Sequence, residues 1–217
     1  MGKIYFFKQT IVPIEIENGK SEAEQFKEIY SEKYFDLFRD RELEDEVMKI
    51  LENDTWSSDD IIKVLCWKMG ASNSSSNGEK RVKGRWREVE VGRLIDKIQG
   101  VKKISDNPEE TLQILMEPKG IGAVYAVTLL FFMSKGKYPI YDKYAHMALD
   151  AIETGKQPGD EIPYKELPTA PKSIMEKVDE YAARIKNIFG KNALADRDVD
   201  RALWAYGHSF IEAKKER

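Results

Sequence analysis

The chain has 217 residues, of which 41% are hydrophobic and 34% charged, with a formal net charge of -3. That length can bury a core for one globular unit or two lobes, and the mean hydropathy of -0.55 fits a soluble protein. An acidic total excludes a surface that is basic throughout, so any meeting with nucleic acid would need a local basic face.

A single cysteine, Cys66, rules out an intramolecular disulfide and a cysteine-ligated metal cluster within the chain. It lies in the apolar run IIKVLCWKM, where a buried thiol is expected. The opening MGKIYFFKQT has no long apolar core or small-residue cleavage site, and AVYAVTLLFFM is too short to span a bilayer. The expected location is the cytoplasm (nucleoid-associated) or, in a eukaryote, the nucleus, with no membrane partner.

In chain order, KIYFFKQTIVPIEI at residues 3–16 has strand-like composition but no visible pairing partner. The pattern then turns helical. Phe26, Tyr30, Tyr34 and Leu37 recur at three- and four-residue intervals, and Leu43, Val47, Ile50 and Leu51 repeat the stripe. WSSDDIIKVLCWKMG begins with a capping serine followed by acids and ends at Gly70. Residues 71–84, ASNSSSNGEKRVKG, form a polar loop. It leads into a basic run of Lys80, Arg81, Lys83, Arg85 and Arg87 around Trp86, which reads either as a phosphate-tracking segment or as a solvated flank. REVEVGRLIDKIQ predicts another helix, and NPEETLQILM one more, with Asn107 as cap and Pro108 at the first helical position. Beyond residue 150 come a Pro-rich connector, KQPGDEIPYKELPTAP, and two helices, KSIMEKVDEYAARIKNIF and DRDVDRALWAYGHSFIEAKK. The expected fold class is all-α.

The stretch PKGIGAVYAVTLLFFM places two glycines, Gly120 and Gly122, at the entrance of an apolar helix. Glycines there give the backbone freedom and let it approach a bulky anion closely. The amides of Gly122, Ala123 and Val124 sit at a helix N-terminus, where unpaired N–H groups and the dipole favour a phosphate. Carbonyls of such a turn could hold a bridging monovalent cation. A turn that only lets two helices meet is the plainer reading of the same residues.

After that helix comes Pro139-Ile140-Tyr141-Asp142, which opens KYAHMALDAI. Gly120-Ile121-Gly122, the apolar helix and this aspartate together resemble the helix-hairpin-helix DNA glycosylase superfamily, nearest its 8-oxoguanine glycosylase-like branch. The resemblance covers about residues 108–150. It implies two helical lobes with a cleft: residues 57–137 carrying the hairpin, and 1–56 plus 138–217 forming the second lobe. The implied activity is hydrolysis of the base–sugar bond of a damaged nucleotide flipped out of DNA, an oxidised purine being one candidate. Asp142 would be the catalytic residue, with Lys119, Gly120, Gly122, Ala123, Val124 and Lys143 on the DNA. The base pocket would draw on Trp204, Tyr206 and His208, with Trp67 from the other aromatic group. The protein would act as a monomer on DNA.

The chemistry of such an aspartate can be stated without the family. Breaking a base–sugar bond builds positive charge on the sugar, and a nearby carboxylate stabilises it and activates water. Asp142 also reads as an ordinary N-cap, since aspartate is among the best caps. Lys119 stands between Pro118 and Gly120 where the family joins Pro to Gly, Tyr141 is inserted before Asp142, and Lys143-Tyr144 replaces the usual Thr-His or Val-His. Where bifunctional members carry a Schiff-base lysine this chain has Val124, so no lyase activity is expected. No metal ion and no cofactor are expected beyond the cation at the hairpin. His146 and His208 lack metal-like spacing. Two other readings share these residues: a non-catalytic nucleic-acid-binding hairpin protein, and a helical interaction protein in which the hairpin only packs.

Overall fold

Capping chemistry and apolar stripes account for where the helices begin and which faces they bury. The structure, a computed structural model, describes residues 4, 6, 19–38, 41–69, 88–100, 107–164 and 166–215. The strand-like opening apart from Ile4 and Phe6, Gly70, the polar loop at 71–84 and the basic run from Lys80 to Arg87 lie outside the described residues. Among the described residues all regular structure is helical and no strand occurs: α1 (Glu22–Phe38), α2 (Arg41–Ile50), α3 (Ser58–Lys68), α4 (Glu88–Gly100), α5 (Pro108–Leu115), α6 (Ala123–Met133), α7 (Lys143–Thr154), α8 (Pro171–Phe189) and α9 (Arg197–Lys215). The all-α expectation holds. No described helix is long and apolar enough to cross a membrane.

Three helix starts follow the sequence signals. At α3 the Ser57 hydroxyl accepts the Asp60 N–H at 3.2 Å while the Asp60 carboxylate accepts the Ser57 N–H at 2.8 Å, a reciprocal capping box. At α5 Asn107 Oδ1 accepts the Glu110 N–H at 3.2 Å, with Pro108 in the first turn. At α7 the cap is Asp142. Burial follows the stripes too: Phe26, Tyr30 and Tyr34 of α1 and Leu43, Val47 and Ile50 of α2 are buried, whereas Leu37 and Leu51 stay partly exposed.

The chain divides into two compact units. The hairpin unit comprises residues 38–140 and 167–179. Its centre is α6, where every residue from Ala126 to Phe132 is buried. Helices α5 and α3 pack against α6, and Trp56 and Trp67 set their rings edge-on to Phe132 at 6.3 and 5.7 Å. The sequence reading assigned residues 38–56 to the other lobe, and the structure groups them with the hairpin. The reason is packing: α2 lies on α3, and the fully buried Glu44 accepts the Trp67 indole N–H at 2.5 Å. A buried carboxylate needs such a donor, so α2 is fastened to α3 by polar satisfaction as well as by apolar area.

The aspartate unit comprises residues 1–37, 141–166 and 180–217. Here α7 packs along α9. Mid-helix Gly207 allows the approach: a Cβ built there would lie 1.9 Å from the Tyr144 carbonyl oxygen. Around this pair the rings of Phe26 and Tyr30 meet Tyr206 at 5.3 and 4.9 Å, and Phe210 follows at 5.2 Å.

Candidate functional site

In the hairpin unit the turn between α5 and α6 is closed by the Ile121 N–H donating to the Pro118 carbonyl at 3.2 Å. Lys119 and Gly120 are its corners. Gly120 has φ +92°, a conformation that side-chain-bearing residues rarely adopt, so a glycine is required at this corner. Gly122 differs. Its φ of -87° and ψ of 177° are open to any residue, and a Cβ there would meet nothing within 4 Å. Packing among the described residues therefore does not explain Gly122.

Gly122 is the N-cap of α6, and no side chain caps that helix. No acidic residue stands in its first turn. Lys119, Gly120 and Gly122 are exposed, and Ala123 and Val124 are half-buried. A helix N-terminus with a glycine cap, no capping side chain and an adjacent lysine can receive an anion through its backbone amides.

In the aspartate unit Asp142 caps α7. Its Oδ1 accepts the Tyr144 N–H at 2.8 Å, and the side chain is half-buried. Both readings of the residue therefore meet here: the cap is real, and a cap leaves the carboxylate pinned in orientation. Lys143 beside it is exposed, its Nζ lying 4.7 Å from the centre of the Tyr144 ring. Tyr141, inserted before Asp142, is buried, and burial pushes its phenol up to about 12, with Tyr164 and Asp150 acting in the same direction. Tyr164 is also raised, first by burial and then by the Asp142 charge.

One turn further along α7, charged side chains tie it to the C-terminal half of α8. Arg184 donates to both Glu153 oxygens at 3.0 and 2.8 Å, to Asp150 at 2.5 Å, and meets His146 Nε2 at 3.3 Å. Burial works against the Arg184 charge, and its hydrogen bonds to Glu153 and Asp150 outweigh that and hold its pKa above the usual value. His146 is a structural partner in this network. Among the described residues no group of three or more His, Cys, Asp or Glu side chains is arranged to hold a metal ion.

Of the proposed base-pocket aromatics, two are buried in the cores of their own units. Trp67 is buried in the hairpin unit against Phe132 and Glu44, and Tyr206 is buried in the aspartate unit with its hydroxyl donating to the Lys156 carbonyl at 3.3 Å. Both are core residues, placed by the apolar stripes of α3 and α9. Trp204 and His208 are half-buried and cluster with Tyr144, the His208 ring lying 4.4 Å from Trp204 and 4.1 Å from Tyr144. The patch that can present rings is thus Trp204, His208 and Tyr144. Tyr144 escaped the sequence reading because its partners are distant in sequence. Its only signal was adjacency to Asp142.

Comparison of the chain with protein-family models, with curated proteins and with solved structures finds no match. The functional argument therefore rests on the residues themselves.

Proposed function

We propose that the chain is a monofunctional DNA N-glycosylase of the helix-hairpin-helix kind, in which the hairpin binds a backbone phosphate and Asp142 serves the sugar. The observation that carries this reading is the first turn of α6: an exposed glycine cap that no contact among the described residues requires, no capping side chain, and no acid in that turn. These are the features of an anion site made of backbone. Asp142, oriented by its own capping bond, would stabilise the cation that develops on the sugar and take a proton from the attacking water. Lys119 and Lys143, both exposed, would supply positive charge toward phosphates. Val124 stands where a Schiff-base lysine would be needed, so water is the nucleophile and the DNA strand is left unbroken. The hydrolysis draws on no cofactor, and the protein would act as a monomer on a damaged, flipped-out nucleotide.

A second reading has its own support. Because Asp142 already serves as a cap, the aspartate has a structural reason to exist, and a non-catalytic nucleic-acid-binding protein would use the same hairpin. Oligonucleotides each carrying one damaged base separate the two when incubated with the protein and then treated with or without alkali. Strand breaks confined to the alkali-treated arm are expected for one or more lesions. No release from any lesion, with DNA binding retained, would favour the binding protein.

The hairpin can be tested alone. Gly122→Asp places an excellent capping residue at the start of α6, in space that is open, so thermal stability should hold or rise by a few tenths of a kcal/mol. The same carboxylate would repel a phosphate at those amides, and DNA affinity at fixed salt should fall at least about tenfold, or ~1.4 kcal/mol. Unchanged affinity by fluorescence anisotropy would remove the hairpin from the DNA-binding surface.

A further inference from the structure

At its far end α6 leaves into the turn Ser134-Lys135-Gly136-Lys137, whose backbone closes the helix by itself. The N–H groups of Ser134, Lys135 and Gly136 donate to the carbonyls of Leu130, Phe132 and Phe131 at 2.9, 3.2 and 2.9 Å. Two successive residues of the turn are left-handed, Lys135 with φ +53° and Gly136 with φ +81°. Glycine takes that conformation without strain. Lys135 is the one non-glycine residue with a positive φ among the described residues. Its side chain does not cap the helix. Lys135 Nζ donates at 2.7 Å to Oδ1 of Asp54, in the connection between α2 and α3, and the two side chains are 55% and 88% exposed. An ion pair so open to water is screened and contributes little, so it does not outweigh a strained backbone. Glycine would suit this corner better, and the fold gives no reason for a cation there. Lys137, two residues on, is exposed as well.

We propose that Lys135, with Lys137 beside it, contacts a second phosphate of the DNA backbone, and that Asp54 occupies its ammonium group when no DNA is bound. The contact rests on the DNA-binding part of the proposed function and not on its chemistry. The hairpin and this turn lie in one compact unit, at the two ends of the same helix. Eleven helical residues set the two ends about 16 Å apart, which about five base-pair steps of a duplex match. The two ends would hold phosphates by different means, backbone amides at the start of α6 and an ammonium group at its finish. Carboxylate and phosphate compete for that ammonium, and only the phosphate brings the release of condensed counterions.

The salt dependence of affinity for an undamaged duplex, read by anisotropy on the full chain beside the melting temperature, tests the contact. Lys135→Gly relaxes the backbone and removes the charge. Its melting temperature should hold or rise, and the slope of log affinity against log salt should become shallower by about one, whatever the DNA sequence. Asp54→Asn removes the competing carboxylate, so affinity at low salt should rise about two- to fivefold, the strength of an exposed pair. Lys63 serves as control: it belongs to the same unit and is likewise paired, with Glu46 at 3.0 Å, and Lys63→Gln should leave the slope unchanged. An unchanged slope or a lowered melting temperature in Lys135→Gly, or an equal loss of slope in Lys63→Gln, would overturn the inference. Affinity unmoved or lowered in Asp54→Asn would overturn the competition with Asp54. An unchanged slope in Lys135→Gly while Gly122→Asp weakens binding would leave the hairpin and the glycosylase reading standing. A shallower slope from a protein that releases no base from any lesion would keep this contact and overturn the chemistry.

Discussion

Asp142→Asn is expected to slow base release at least about 100-fold while leaving folding and DNA affinity in place. The substitution is chosen because it separates the cap from the role proposed at the sugar. As a cap, Asp142 accepts the Tyr144 N–H through Oδ1, and asparagine ranks with aspartate in that role. The melting temperature should therefore move little. In the proposed role beside the sugar, the carboxylate would have no substitute in a neutral amide, which can neither stabilise a developing cation to the same degree nor accept the water proton. Single-turnover kinetics on a released lesion, with anisotropy for affinity, would measure both halves. Undiminished release by the asparagine variant would assign Asp142 to capping alone.

Gly207→Ala is expected to lower the melting temperature by about 2–12 °C, the size of shift that ~1–3 kcal/mol of overpacking gives in a chain of this length. Intrinsic propensity points the other way, since alanine in a helix interior is favoured over glycine by about 1 kcal/mol. The contact decides the sign. The new Cβ would fall 1.9 Å from the Tyr144 carbonyl oxygen and 2.8 Å from its Cα, and these are backbone atoms that cannot rotate away. To relieve the clash α7 and α9 must part at the turn Asp142 caps, so base release should fall as well. Calorimetry of the variant checks the first effect. A raised melting temperature would mean that the two helices do not approach so closely.

The local half of this structure was legible because its causes are local. Ser57, Asn107 and Asp142 each cap the helix that follows them, and the spacing of Phe26, Tyr30 and Tyr34 marks the face that α1 buries. Gly122 and Asp142 could be singled out because each is a residue type whose chemistry depends on its position at a helix start. Other features depend on partners far along the chain. Nothing near Glu44 announces that its carboxylate meets an indole 23 residues later, so the unit boundary was drawn after α2 instead of before it. Gly207 was visible as a glycine inside an amphipathic helix, but its reason is the backbone at Tyr144. Trp67 and Tyr206 have the composition of a stacking surface and the burial of a core, and composition cannot tell the two apart.

The most direct test of Asp142's role does not require knowing the damaged base. Two DNA duplexes would each carry one abasic position, in one a neutral tetrahydrofuran ring and in the other a protonated pyrrolidine ring that imitates the sugar cation. A carboxylate about 4 Å from that charge contributes up to ~4 kcal/mol near a protein surface, so a preference of at least about tenfold for the pyrrolidine duplex is expected even after solvent screening. In Asp142→Asn that preference should vanish, with affinity for the neutral ring unchanged. Equal binding of the two rings by the wild-type protein, or an equal preference in the asparagine variant, would contradict a role for Asp142 at the sugar.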